Sequence, residues 1–197
     1  MSKPFEFTPE NLASAKAAMA KYPEGRQQSA VLALLDLAQR QNQDGHYVTD
    51  GAIEAISELL DMPRIRVMEV ATFFTMINLA PVGKYLLQCC TTTPCWLRGS
   101  GPVFEAIEKH LGISNGETTD DGMFTLMEVE CLGACVNAPI VQVNDDYYED
   151  LGAESIVKII DALKRGETPK GGSQIGRQNS APVGGPKVLT NLPIGGE

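Results

Sequence analysis

The chain has 197 residues, 43% of them apolar and 21% charged, the balance of an ordinary globular protein that can bury a core without covalent staples. A net charge of −9 argues against nucleic acid, whose binding needs a basic face, and suits a protein that docks on other proteins. No run of about 18 apolar residues occurs, so no membrane insertion is expected. Met1 to Phe7 show neither a signal-peptide core nor an Arg-rich presequence.

Residues 8–80 read as four amphipathic helices. Thr8-Pro9-Glu10 is a start signal, with a capping hydroxyl, proline in the first turn and an acid. The Ala-rich run that follows ends at Pro23 and Gly25. A second helix spans about 26–41, with Val31, Leu34, Leu35 and Ala38 on one face. Thr49 caps a third, with Ile53, Ile56 and Leu60 aligned. Pro63 opens a fourth, where Val67, Val70, Ala71 and Phe74 line up. Short connections between such helices predict a small bundle.

The pattern then changes. Residues 84–90 and 124–131 read as strands, with a helix at 102–111 between them that ends at Gly112. Residues 140–143 and 147–149 make two more strands around the turn Asn144-Asp145-Asp146, and a last helix covers 153–165. This β-α-β-β-α order, a parallel crossover followed by a hairpin, is thioredoxin-like. The expected fold is therefore α+β: a helical bundle at 1–80, a thioredoxin-like domain at 81–166, and a Gly/Pro-rich tail at 167–197. The tail has few large apolar residues and many Gly and Pro, so it is expected to be disordered or laid along a partner. Deleting residues 167–197 is expected to spare what the rest of the chain binds but to weaken assembly, because the tail has no core of its own.

Four of the five cysteines form two pairs, Cys90/Cys95 at C-x4-C spacing and Cys131/Cys135 at C-x3-C. In a reducing compartment such pairs point to metal or redox chemistry rather than structural disulfides. Two thiolates on one metal must lie within a few ångströms, which these spacings allow within single loops. Cys90 ends the first strand and Cys131 the second, and a right-handed parallel crossover brings those two ends together. The set suits a [2Fe–2S] cluster, with two cysteines per iron. Tetrahedral zinc and a redox dithiol stay open at this point. Gly99, Gly101 and Gly133 would let backbone N–H groups face the sulfurs, Thr91, Thr92 and Thr93 offer hydroxyls, Pro94 stiffens the loop, and Arg98 offers a cation. Cys89, next to Cys90 on a strand, faces the other side and reads as a small buried residue.

Nothing else carries chemistry. His46 reads as a surface residue and His110 as a complement to a helix C-terminus. Asp120-Asp121 and Asp145-Asp146 read as turns, and Phe73, Phe74 and Met76 as bundle core. No nucleotide-binding glycine motif is present, and no residue is assigned a catalytic role.

Residues 90–100 (CTTTPCWLRGS) and 128–139 (EVECLGACVNAP) resemble the signatures of the thioredoxin-like [2Fe–2S] subunit of respiratory complex I, the small subunit beside the flavin subunit. The likeness continues through 147–151 (YYEDL) and 66–74 (RVMEVATFF), and covers about 20–165. It implies one [2Fe–2S] cluster held by Cys90, Cys95, Cys131 and Cys135. It also implies a partner subunit that binds NADH and FMN and exchanges one electron with the cluster, and further peripheral-arm subunits. The resemblance further implies that the cluster would lie off the main electron path, its electron held rather than passed on. The location implied is the cytoplasmic side of a bacterial inner membrane, or the matrix side in mitochondria. Related subunits serve NAD-linked hydrogenases and formate dehydrogenases, and a free ferredoxin shuttle is a further alternative. Trp96 stands where Met or another apolar residue is expected, and Cys89 is additional. A thiol at Cys89 leaves room for ligand exchange if Cys90 is lost.

Overall fold

The computed structural model describes residues 4–185 together with 187 and 188. The remainder of the expected tail lies outside the described residues. The chain divides into two compact units, 1–84 and 85–197.

The first unit holds α1 (Pro9–Met19), α2 (Val31–Gln41), α3 (Asp50–Leu60) and α4 (Arg64–Phe73). A single 3-10 turn, Gln27–Ala30, leads into α2. The Thr8 and Thr49 hydroxyls each accept a backbone N–H of the first turn, from Asn11 and Ala52 at 3.2 Å, which satisfies donors the helix leaves unpaired. Leu34, Leu35, Ile53, Ile56 and Val67 are fully or almost fully buried in one core. The expectation for Phe73 and Met76 is corrected: they are 77% and 59% exposed. The helix stops at Phe73, and Phe74 turns extended (φ −87°, ψ 110°), so the helical period no longer decides which side faces the core. Phe74 does reach the core, half-buried.

The second unit is a five-stranded sheet in the order β2-β1-β3-β4-β5. Its strands are β1 (Tyr85–Cys90), β2 (Phe124–Val129), β3 (Val141–Val143), β4 (Asp146–Glu149) and β5 (Gly172–Ser173). β1 and β2 are parallel, with Cys90 opposite Val129. β1 and β3, and β3 and β4, are antiparallel. The crossover contains α5 (Thr93–Leu97) and α6 (Ser100–Leu111), and α7 (Ala153–Lys164) follows the hairpin. Val103 and Ile107 of α6 and Ile156, Ile159, Ile160 and Leu163 of α7 join Leu87, Cys89, Leu126 and Val141 in one core. Each such aliphatic side chain contributes about 1.5–3 kcal/mol on burial. His110 bonds Asp161 of α7 at 2.7 Å, so it ties two helices as well as lying near a C-terminus.

Three expectations change here. Cys95 does not sit in an open loop but on α5, a short helix opened by Pro94 in its first turn. β2 ends at Val129, so Cys131 lies two residues beyond its strand. The near part of the tail is ordered on the sheet edge. Gly172 and Ser173 pair in parallel with Tyr148 and Glu149, the Gln174 N–H donates to the Glu149 carbonyl at 3.0 Å, and the Tyr148 hydroxyl donates to Pro169 at 3.1 Å. Backbone bonds and polar side chains hold this edge, so it needs no apolar pattern of its own.

Candidate metal centre

The parallel register places the end of β1 beside the chain leaving β2, and the four paired cysteines gather there. Cys90 and Cys95 are each 1% exposed and share a small apolar cluster with Ala138 and Ile140. Cys131 is exposed and Cys135 half-exposed, the latter opening a 3-10 turn, Cys135–Asn137. Cys89, fully buried, belongs to the core on the other face of the sheet, as strand alternation requires.

The thiols make two contacting couples. Cys131 Sγ and Cys135 Sγ are 3.3 Å apart, and Cys90 and Cys95 are hydrogen-bonded through their side chains. Thr92 links the couples: its hydroxyl lies 3.2 Å from Cys90 Sγ and also bonds the Cys131 thiol. The Gly133 N–H points at Cys131 Sγ at 3.4 Å. Gly133 has φ +86°, a conformation glycine adopts without strain. Gly101, by contrast, lies within α6, and Thr91 gives its hydroxyl to Glu128 at 2.6 Å rather than to sulfur. Arg98 is exposed.

The electrostatics split each couple. Cys90, against the raising effect of burial, is held below the ordinary thiol value by Thr92, Cys95 and the backbone N–H groups of Leu132 and Thr92. Cys95 is pushed up to about 12 by burial and by its bond to Cys90. Cys131 is lowered by the Gly133 N–H and by Cys135, whereas Cys135 is raised by its bond to Cys131. Within each couple one thiol is thus made more acidic and its neighbour less so, through the bond they share. Cys89 is also pushed up to about 12, by burial first, which keeps it a neutral thiol. Among the described residues, no three His, Cys, Asp or Glu side chains converge on one ion-sized point. The four thiols stand as two couples, the division a [2Fe–2S] cluster requires.

The sequence reading missed the groups that fasten this loop. Tyr147 donates its hydroxyl to the Leu132 carbonyl at 2.7 Å. Asn137 Nδ2 donates to Glu149 Oε2 at 2.5 Å and to the Asn179 carbonyl at 2.8 Å. Arg177 Nη1 donates to the Val136 carbonyl and to Asp150 Oδ1, each at 3.1 Å. Arg177 is therefore a cation that bonds the Cys135 turn, one the sequence reading did not single out. Its one sequence signal is an arginine in an otherwise bland tail.

A family model described as thioredoxin-like [2Fe-2S] ferredoxin matches residues 15–164, which include most of the helical unit. The chain belongs to the thioredoxin-like [2Fe–2S] ferredoxin family, and it carries one [2Fe–2S] cluster. Zinc and a plain dithiol are thereby set aside. Among particular relatives, it is 57% identical over 160 residues to the E-type subunit of NADH-quinone oxidoreductase from Rickettsia conorii, covering 81% of this chain and 95% of that one. It is 45% identical over 192 residues to the mitochondrial NADH dehydrogenase [ubiquinone] flavoprotein 2 of Dictyostelium discoideum, covering 98% and 77%. In structure it resembles an air-oxidised NAD+-reducing [NiFe]-hydrogenase, with a TM-score of 0.57 at 18% identity over 67% of this chain and 23% of that one. At that identity the likeness is one of fold.

Proposed function

We propose that this chain is the [2Fe–2S] electron-transfer subunit of the NADH dehydrogenase module of an NADH:quinone oxidoreductase, exchanging one electron with the FMN of a partner subunit. Cys90 and Cys95 bind one iron, and Cys131 and Cys135 the other. The observation that carries this reading is the gathering of the four cysteines as two contacting couples at the ends of the parallel strands β1 and β2. When bound, the cluster supplies a one-electron donor and acceptor.

The chain's own residues do the rest. Thr92 and the N–H groups of Gly133 and Leu132 are aimed at sulfur and stabilise its negative charge. Exposed Cys131 leaves one end of the site open to a partner. Trp96, Leu97 and Val136, which follow Cys95 and Cys135 directly, are 66%, 70% and 65% exposed. Apolar side chains bared around a metal site suit an interface that excludes water on docking. The partners are the subunit that binds FMN and NADH and other peripheral-arm subunits. Among the described residues no helix is long and apolar enough to cross a membrane, which fits a peripheral place on the cytoplasmic face of a bacterial membrane or its matrix equivalent. High identity to NADH-quinone oxidoreductase relatives over most of the chain favours this complex over a hydrogenase or formate dehydrogenase.

Metal and sulfide analysis with EPR of the reduced chain tests the assignment. About two irons and two acid-labile sulfides per chain are expected, together with co-purification with a flavoprotein. One zinc without sulfide overturns the cluster. A loaded chain that binds no flavoprotein overturns the subunit role.

A further inference from the structure

The two halves of the site are held very differently. Cys90 and Cys95 are buried among apolar side chains. Cys135 is half-exposed and opens the turn Cys135–Asn137, in which Val136 is 65% exposed. Tyr147 secures the loop at Leu132. Its far end, Val136 and Asn137, is secured by β4 and by residues 172–181, which lie beyond the segment matched by the family model. Arg177 is the centre of this strap. Its Nη1 spans the Val136 carbonyl and Asp150 Oδ1, and its Nε donates to the Ala181 carbonyl at 2.9 Å. Asp150 also accepts the Ser173 hydroxyl at 2.7 Å, and its backbone N–H donates to the Asn137 carbonyl at 2.6 Å. The ion pair is nearly closed to solvent, with side chains 10% and 2% exposed.

A pair this buried adds little to stability by itself, because desolvation offsets attraction. What it does add is direction. A planar guanidinium with three acceptors in fixed places admits one placement of the turn. We propose that residues 172–181 form a strap in which Arg177 is a positioning residue for the Cys131–Cys135 half of the cluster site, holding the Cys135 turn so that its sulfur stays on the metal. This rests on the ligand assignment above.

The test uses the full-length, cluster-loaded chain. Arg177→Lys keeps the charge that Asp150 needs but cannot bridge all three acceptors. Deletion of residues 171–197 removes the strap and returns Asp150 to water. Gln174→Ala is the control, since its side chain donates to the nearby Lys170 and Gly172 carbonyls and, among the described residues, to neither Asp150 nor the Cys135 turn. Iron release to a chelator is followed by loss of visible absorbance, and the reduced state by EPR. R177K and the deletion are expected to release iron about 10- to 100-fold faster, the usual range for losing an outer-shell partner of a metal ligand. They are also expected to shift the EPR g-values, while far-UV circular dichroism stays that of wild type. Q174A is expected to match wild type throughout. Wild-type release rates and g-values in R177K and the deletion overturn the strap, as does a Q174A chain as leaky as R177K. Should R177K not fold, the deletion is read alone against the same criterion. A wild-type chain with no iron–sulfur absorbance overturns the ligand assignment instead, which separates the two failures.

Discussion

Cys89 and Cys90 are neighbours in sequence and lie on opposite faces of β1, so their replacements should have opposite consequences. Cys89 is fully buried with Leu87 and Val141. Its sulfur is about the size of a methylene, and losing it in Cys89→Ala costs about 0.8 kcal/mol of transfer free energy. A residual cavity of about 20 Å³ adds about 0.5 kcal/mol at about 24 cal/mol per Å³. The sum of about 1.3 kcal/mol lowers the melting temperature of a unit this size by about 5 °C, while iron and sulfide content stay at the wild-type level. Cys90→Ala should instead lose the cluster, at a cost to the apo chain of the same order, since Cys90 is just as buried. Ligand exchange onto Cys89 would have to bring its side chain through the sheet. A one-residue slip that did so would reverse every face of β1 and break the Leu87–Val143 and Cys89–Val141 pairings. The assays are iron and sulfide determination and thermal melts followed by circular dichroism. Wild-type iron in Cys90→Ala, or an iron-free Cys89→Ala, refutes this division of the strand.

Thr92→Val removes the hydroxyl from Cys90 and Cys131 and should lower the reduction potential by on the order of tens of millivolts, because hydrogen bonds to sulfur favour the reduced cluster; protein-film voltammetry reads it, and an unchanged potential counts against the bridging role. In the cluster-free chain, Cys131 should react with iodoacetamide first and Cys89 last. The thiolate is the nucleophile, Cys131 lies below the ordinary thiol value and is open to solvent, and Cys89 stands near 12. At pH 7–8 Cys131 therefore holds more thiolate than a free cysteine, and its labelling should level off at a lower pH; mass spectrometry of the labelled sites decides. Ile160→Ala, at a fully buried site between α7 and the sheet, should cost about 2–5 kcal/mol, and a denaturant midpoint equal to wild type would contradict the core assignment.

Much of the second unit is legible in the sequence because its signals are periodic. Ile156, Ile159, Ile160 and Leu163 recur at helical spacing and all four are buried on α7. Strand alternation alone separates Cys89 from Cys90. The departures share a cause: each lies where local chemistry, not apolar burial, decides the conformation. α5 is five residues long, too short for a period to show, and Pro94 reads equally well as the stiffener of a loop. Cys131 extends the alternation of Met127 and Val129 in sequence, but the ladder ends at Val129 and a turn begins. The large apolar residues in the described part of the tail, Ile175, Val183 and Val188, are exposed, so the order of that part has another source. It comes from backbone pairing at β5 and from Ser173, Arg177 and Asn179, which bond groups more than twenty residues away. Sequence distance hides that kind of contact.

The difference between the two halves of the site follows from what each must do. A thiol pair buried against Ala138 and Ile140 is fixed by packing density, which changes little with the surroundings. In the proposed role, Cys131 and Cys135 cannot be fixed that way and still face a partner, because a cover would lengthen the electron's path to it. Hydrogen bonds from outside the loop meet both demands. Tyr147 holds the Leu132 carbonyl from β4, Asn137 holds Glu149, and Arg177 holds the Val136 carbonyl. These bonds grip the loop from behind and leave Cys131 open to solvent. Such a bond loses most of its worth if water competes for it, so the grip must itself be shielded. That explains why an exposed loop is backed by one of the most buried charges in the unit, Asp150, and why a polar tail is folded over it.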